Sequence, residues 1–94
     1  MTELRHWTVD VYVGEDDGQT YAEAALSDDV GNHLLGTGRA RLSPHDLDVP
    51  EIGDEIAVGR ALFNLGQRLL STAAGDIETI THEHVRLLKR SVGA

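Results

Sequence analysis

Residues 34–42 read LLGTGRARL, and the meaning of the two glycines decides the fold. A dinucleotide-binding fingerprint needs a third glycine and a helix starting directly after it. Here Gly36 and Gly38 lead into Arg39, Ala40, Arg41 and Leu42, and the pattern keeps alternating. A P-loop needs Gly-Lys-Ser/Thr, which is absent. Period two divides the stretch instead. Leu34, Gly36, Gly38, Ala40 and Leu42 share one face of a strand; Leu35, Thr37, Arg39 and Arg41 share the other. A face of glycine and alanine is a smooth trough into which a helix can settle. A ligand approaching the bare backbone is the competing use of the same feature.

Two further stretches alternate in the same way. Residues 6–13, HWTVDVYV, put Trp7, Val9, Val11 and Val13 on one face. Residues 19–27, QTYAEAALS, put Ala22, Ala24 and Leu26 on one face. Alanine is a poor strand former, so a short helix competes there, but the flanking turns and the alternation favour a strand. Asp17-Gly18 is a strong hairpin signal, and DDVGN marks a second turn. Closing strands 19–27 and 33–42 antiparallel places Leu26 opposite Leu34, Ala24 opposite Gly36 and Ala22 opposite Gly38. The same register sets Tyr21 across from Arg39.

After the connection SPHDLDVPEIGD, with Pro44 and Pro50, the spacing predicts a helix over about 54–71. Its apolar stripe is Ile56, Leu62, Phe63, Leu65, Leu69 and Leu70, with Gly59 and Gly66; Arg60 and Arg68 fall on its polar side or edge. Asp54 and Glu55 suit the positive end of the helix dipole. A helix of that length matches a nine-residue strand and can cover the sheet. Ser71 or Thr72 ends it, and a short helix or irregular segment follows at about 74–82. The tail, with Arg86, Lys89 and Arg90, frays or packs on a partner. The expectation is one α+β domain over residues 1–94: a two-layer β-β-β-α unit with a short C-terminal helix.

Composition bounds the function. Ninety-four residues make one small core, which association would help to stabilise. There is no cysteine, so disulfides and thiolate chemistry are out. No signal peptide or membrane-length apolar run stands out, and cytoplasm is the expected location. The net charge of −8 repels a phosphate backbone at long range, so free nucleic acid is not an expected partner.

The chemical motifs are sparse. His82-Glu83-His84, with Asp76 and Glu78 upstream, lacks HExxH spacing and a third ligand, so no metal site is expected. His6, His33 and His45 are scattered. Asp46, Asp48, Glu51, Asp54 and Glu55 read as a charged connection and helix start. No Ser-His-Asp or GxSxG arrangement appears, and neither a catalytic site nor a cofactor is expected. What remains is the outer sheet face. Tyr12, Tyr21, Leu35, Arg39 and Arg41 form a candidate interaction face, in a combination common to protein hot spots and RNA surfaces. A solvated face neutralised by Glu23 and Asp10 is the plain alternative.

Four stretches carry a family resemblance: HWTVDV at 6–11, GTGRARLSP at 36–44, VPEIGDEIAVGRAL at 49–62 and DIETITHE at 76–83. Together they resemble a small actinobacterial family of uncharacterised proteins, known in mycobacteria, whose fold is classed as like the double-stranded-RNA-binding domain. The resemblance covers nearly the whole chain. It implies a homodimer with a stress or dormancy association, since one member forms a dimer, has that link and is similar in shape to ribosome hibernation factors; with no catalytic constellation in this chain, the expected role is a non-enzymatic interaction module. A protein or ribosome partner is implied with it; a small-molecule binder is the remaining reading.

Overall fold

The computed structural model describes residues 2–41 and 50–92, with side chains as far as His82. Three strands, β1 (Thr8–Asp16), β2 (Gln19–Ser27) and β3 (His33–Arg41), form an antiparallel sheet in the order β1-β2-β3. One helix, α1 (Pro50–Val92), packs across one face.

The first hairpin closes with a two-residue loop, Asp16 pairing with Gln19. Asp17 and Gly18 both take positive φ, 50° and 74°. This is the primed turn whose twist suits a hairpin, and it lets β1 run three residues past the expected end at Val13. β1 starts at Thr8, so His6 and Trp7 precede the strand. β3 ends at Arg41; Leu42 and the rest of the expected connection to residue 49 lie outside the described residues. The β2–β3 register pairs Leu26 with Leu34, Ala24 with Gly36, Ala22 with Gly38 and Tyr21 with Arg39. These are the partners that the alternation dictates.

The helix differs from its sequence reading in three ways. It begins at Pro50, not near Asp54. Proline suits a first helical turn, where its missing N–H leaves no partner stranded. It does not stop at Ser71 or Thr72, and there is no separate helix at 74–82: those residues continue α1 for 43 residues in all. Once a helix is nucleated and anchored, each further residue adds a bond, so Gly75 is a cost of about 1 kcal/mol rather than a terminator. Thr79 Oγ1 donates to the Gly75 carbonyl at 2.9 Å.

The third difference is the face that packs. Gly53, Ala57, Ala61 and Leu65, spaced by four, are the buried positions, while Ile56, Leu62, Phe63 and Leu70 stay exposed and Gly59 meets nothing. The reason lies in β3. A Cβ on Gly36 would stand 2.5 Å from the Leu65 nitrogen and 2.6 Å from its Cβ. One on Gly38 would stand 2.5 Å from the Ala61 nitrogen and 2.8 Å from the Arg60 Cβ. The helix backbone therefore rests almost directly on the strand, which only small residues on both sides allow. The trough is filled by α1, so no ligand reaches the two glycines from that side.

The core is correspondingly thin. Among the described residues it consists of Ala22, Ala24, Leu26, Ala40, Ala57, Ala61 and Leu65, with Leu34, Val58 and Leu69 partly buried around it, and none of the described large side chains is fully buried. α1 sits over β3 and β2. Val9, Val11 and Val13 point to the same side by register, opposite Leu26, Ala24 and Ala22, but all remain exposed. Among the described residues no helix covers the inner face of β1. No helix among the described residues is long and apolar enough to cross a membrane.

Candidate interaction surface

The face of the sheet turned away from α1 gathers the candidate residues. Register places Gly14 and Arg39 on either side of Tyr21, and Tyr12 and Thr37 on either side of Glu23. The Arg39 guanidinium stacks over the Tyr21 ring, 5.3 Å from its centroid. Such a pair is worth about 0.5–1 kcal/mol when exposed, and it orders both side chains. The Tyr21 hydroxyl donates to Gln19 Oε1 at 2.6 Å. Gly14 has no side chain to cover the other flank of the ring, which leaves a shallow depression of 450 Å³ lined by Tyr12, Gly14, Tyr21, Glu23, Thr37 and Arg39. Tyr12 borders it, 62% exposed. The structure thus brings together Tyr12, Tyr21 and Arg39. Arg41, exposed at the end of β3, and Leu35, half-buried near its start, flank the group about 20 Å apart.

The unpaired edge of β3 holds a feature that the sequence reading passed over. Arg60 Nη1 donates to the Arg39 carbonyl at 2.7 Å, Asn64 Nδ2 to the Thr37 carbonyl at 2.6 Å, and Arg68 Nη1 to the Leu35 carbonyl at 2.7 Å. Four helical residues rise about 6 Å and two strand residues about 6.8 Å, so the two ladders stay in step. An open edge invites pairing with another chain; here the helix closes it. The signal was present as long donors at i, i+4 and i+8. These residues hold the backbone of Arg39 and Leu35, and so support the outer face from behind.

The other polar groups do structural work. Asp28 Oδ1 accepts from the Val30 and Asn32 amides at 3.0 and 2.8 Å, and Oδ2 accepts from Asn32 Nδ2 at 2.9 Å. Desolvation alone would push the Asp28 carboxyl up; bonds from the Asn32 side chain and from the Asn32, Val30 and Gly31 amides outweigh it and hold the group below its ordinary value. Ser27 Oγ and His33 Nδ1 lie 3.1 Å apart across the mouth of the same loop. Among the described residues no three His, Asp or Glu side chains are grouped to hold a metal ion. His82 is exposed on α1.

A sequence model of the Rv2632c-like family matches residues 5–86, nearly the whole chain. The chain belongs to the Rv2632c-like family. Among its relatives, the uncharacterised protein MT1780 of Mycobacterium tuberculosis is 51% identical over 85 residues, covering 90% of this chain and 89% of that one. The uncharacterised protein Rv2632c of M. tuberculosis is 44% identical over 89 residues, covering 90% and 95%. The crystal structure of Rv2632c superposes with a TM-score of 0.73 at 40% identity, over 87% of this chain and 94% of that one. This chain therefore shares its overall fold with that crystal structure. These two relatives are described as uncharacterised proteins, so they carry no activity over to this chain.

Proposed function

We propose that this member of the Rv2632c-like family is a non-enzymatic, cytoplasmic interaction module that works as a homodimer and presents its outer sheet face to a partner. The observation that carries the recognition half is the Tyr21–Arg39 stack. It is an ordered aromatic–cation pair on the solvent side of the sheet, with Tyr12 and Arg41 exposed on either side. Aromatic and arginine side chains supply most hot-spot energy in protein recognition. The homodimer half is supported by the thinness of the core against the amount of apolar surface left outside it.

The stack also favours a second reading, because tyrosine and arginine planes serve RNA as well. In that reading the module is a ribosome-associated, hibernation-like factor with the double-stranded-RNA-binding-domain-like shape and stress or dormancy role that the resemblance implies. The net charge of −8 opposes it, and only the local pair of Arg39 and Arg41 favours it. Co-sedimentation with ribosomes from growing and starved mycobacterial cells separates the two. The protein-partner reading predicts no association in either state. Association that disappears in an Arg39→Ala, Arg41→Ala double variant would establish the ribosomal reading instead.

A further inference from the structure

We infer that the free edge of β1 takes up an extended, basic segment of a partner protein as a fourth strand of the sheet. The inference concerns the edge of the sheet and stands apart from both the outer-face and the homodimer readings.

The register says which backbone groups face outward. In an antiparallel pair, every second residue exchanges both of its backbone bonds with the residue opposite. The two-residue turn makes Asp16–Gln19 one of these pairs, and the register then makes Gly14–Tyr21, Tyr12–Glu23 and Asp10–Ala25 the next. The N–H and C=O groups of Val9, Val11, Val13 and Glu15 are therefore turned away from β2. The same alternation carried into β3 turns Leu35, Thr37 and Arg39 outward on the far edge. Their carbonyls are the ones that Arg68, Asn64 and Arg60 reach, which checks the assignment.

The two edges are treated differently. That of β3 is closed by the helix ladder. That of β1 has no neighbouring strand, and among the described residues no other backbone group bonds to it. It runs nine residues in unbroken register, without proline, lysine or a bulge, the devices that blunt an edge.

Charge names the occupant. From Thr8 to Ser27 the hairpin carries Asp10, Glu15, Asp16, Asp17 and Glu23 and no lysine or arginine. A second copy pairing β1 with β1 would bring two such acidic strands together, whereas a basic strand is attracted by the same field. Side chains of an added strand lie on the same face as the β1 residues opposite them. Alternate residues of the partner then sit beside Val9, Val11 and Val13, all exposed, and those between sit beside Asp10, Tyr12 and Asp16. The fitting segment is one of β-branched residues alternating with lysine or arginine. Main-chain bonds supply its affinity, and the alternation supplies its selectivity.

The test uses the full chain and a capped synthetic heptapeptide in which valine alternates with lysine, with amide exchange followed by NMR. In the protein alone, the Val9, Val11 and Val13 amides should exchange about tenfold or more faster than those of Asp10 and Tyr12. Adding the peptide should slow those three. Methylating the peptide nitrogens that face β1 should weaken binding about tenfold or more, as should replacing its lysines by glutamate. Val11→Pro removes only an outward N–H, so it should abolish binding while the pairing with β2 persists. Protection of the three amides in the protein alone, by its own residues or by a second copy, overturns the inference. So does failure of the lysine peptide to bind, or binding of the methylated or glutamate peptide as tightly as the parent.

Discussion

Gly38 faces Ala61 so closely that a Cβ on the glycine would stand 2.5 Å from the Ala61 nitrogen. Backbone rests on backbone, and neither side can yield by turning a flexible side chain. Gly38→Ala is therefore expected to cost about 2–3 kcal/mol, through displacement of the helix. In a domain of this size that lowers Tm by about 10–20 °C. Gly14→Ala is the matched control: it is also a strand glycine, but a Cβ there meets nothing within 4 Å. Thermal melts should show Gly14→Ala within a few degrees of the parent. Equal melting of the two variants would contradict the close approach.

The ladder of Arg60, Asn64 and Arg68 on the β3 edge predicts two separable effects. Asn64→Ala removes one exposed hydrogen bond and should cost about 0.5–1.5 kcal/mol in a denaturant titration. Replacing all three by Ala uncovers the edge carbonyls of Leu35, Thr37 and Arg39 together. That variant should self-associate, seen as a rise in light scattering on concentration, in a way that no single replacement shows.

The depressed Asp28 carboxyl makes the β2–β3 loop pH-dependent. A group whose pKa is lower folded than unfolded adds stability that is complete above its unfolded value, close to pH 4, and fades as pH falls through the lower folded value. Asp28→Ala should thus lower Tm at pH 7, with a gap that holds down to about pH 4 and narrows below it. Melts of both proteins across pH 2.5–7 check this; a gap that widens toward low pH would reverse the assigned sign.

On the outer face, Arg41→Ala and Tyr12→Ala should leave Tm within about 3 °C of the parent, because both side chains are exposed and belong to no packed cluster. Tyr21→Ala should cost somewhat more, by about 1 kcal/mol, through loss of the Arg39 stack and the Gln19 bond. A large destabilisation by Arg41→Ala would mean that this residue serves the fold rather than recognition.

The sheet was legible because strands alternate strictly and the Asp17-Gly18 turn admits only one register. The glycine trough was legible too, since Gly36 and Gly38 share a face with Ala40. The matching helix face was not. Hydrophobicity directs attention to Leu62, Phe63 and Leu70, whereas a glycine trough selects the small residues Gly53, Ala57 and Ala61, whose spacing of four carries no strong apolar signal. The helix length was hidden because Ser71, Thr72 and Gly75 each look like an ending locally. A long cooperative helix absorbs all three. The face of Tyr12, Tyr21 and Arg39 could be placed from the register, but the stacking that joins two of them could not.

Sedimentation equilibrium of the unmodified chain at about ten micromolar tests the homodimer most directly. The account predicts a species of twice the 10.2 kDa chain mass. A single species at the mass of one chain, unchanged on further concentration to about a hundred micromolar, would contradict it.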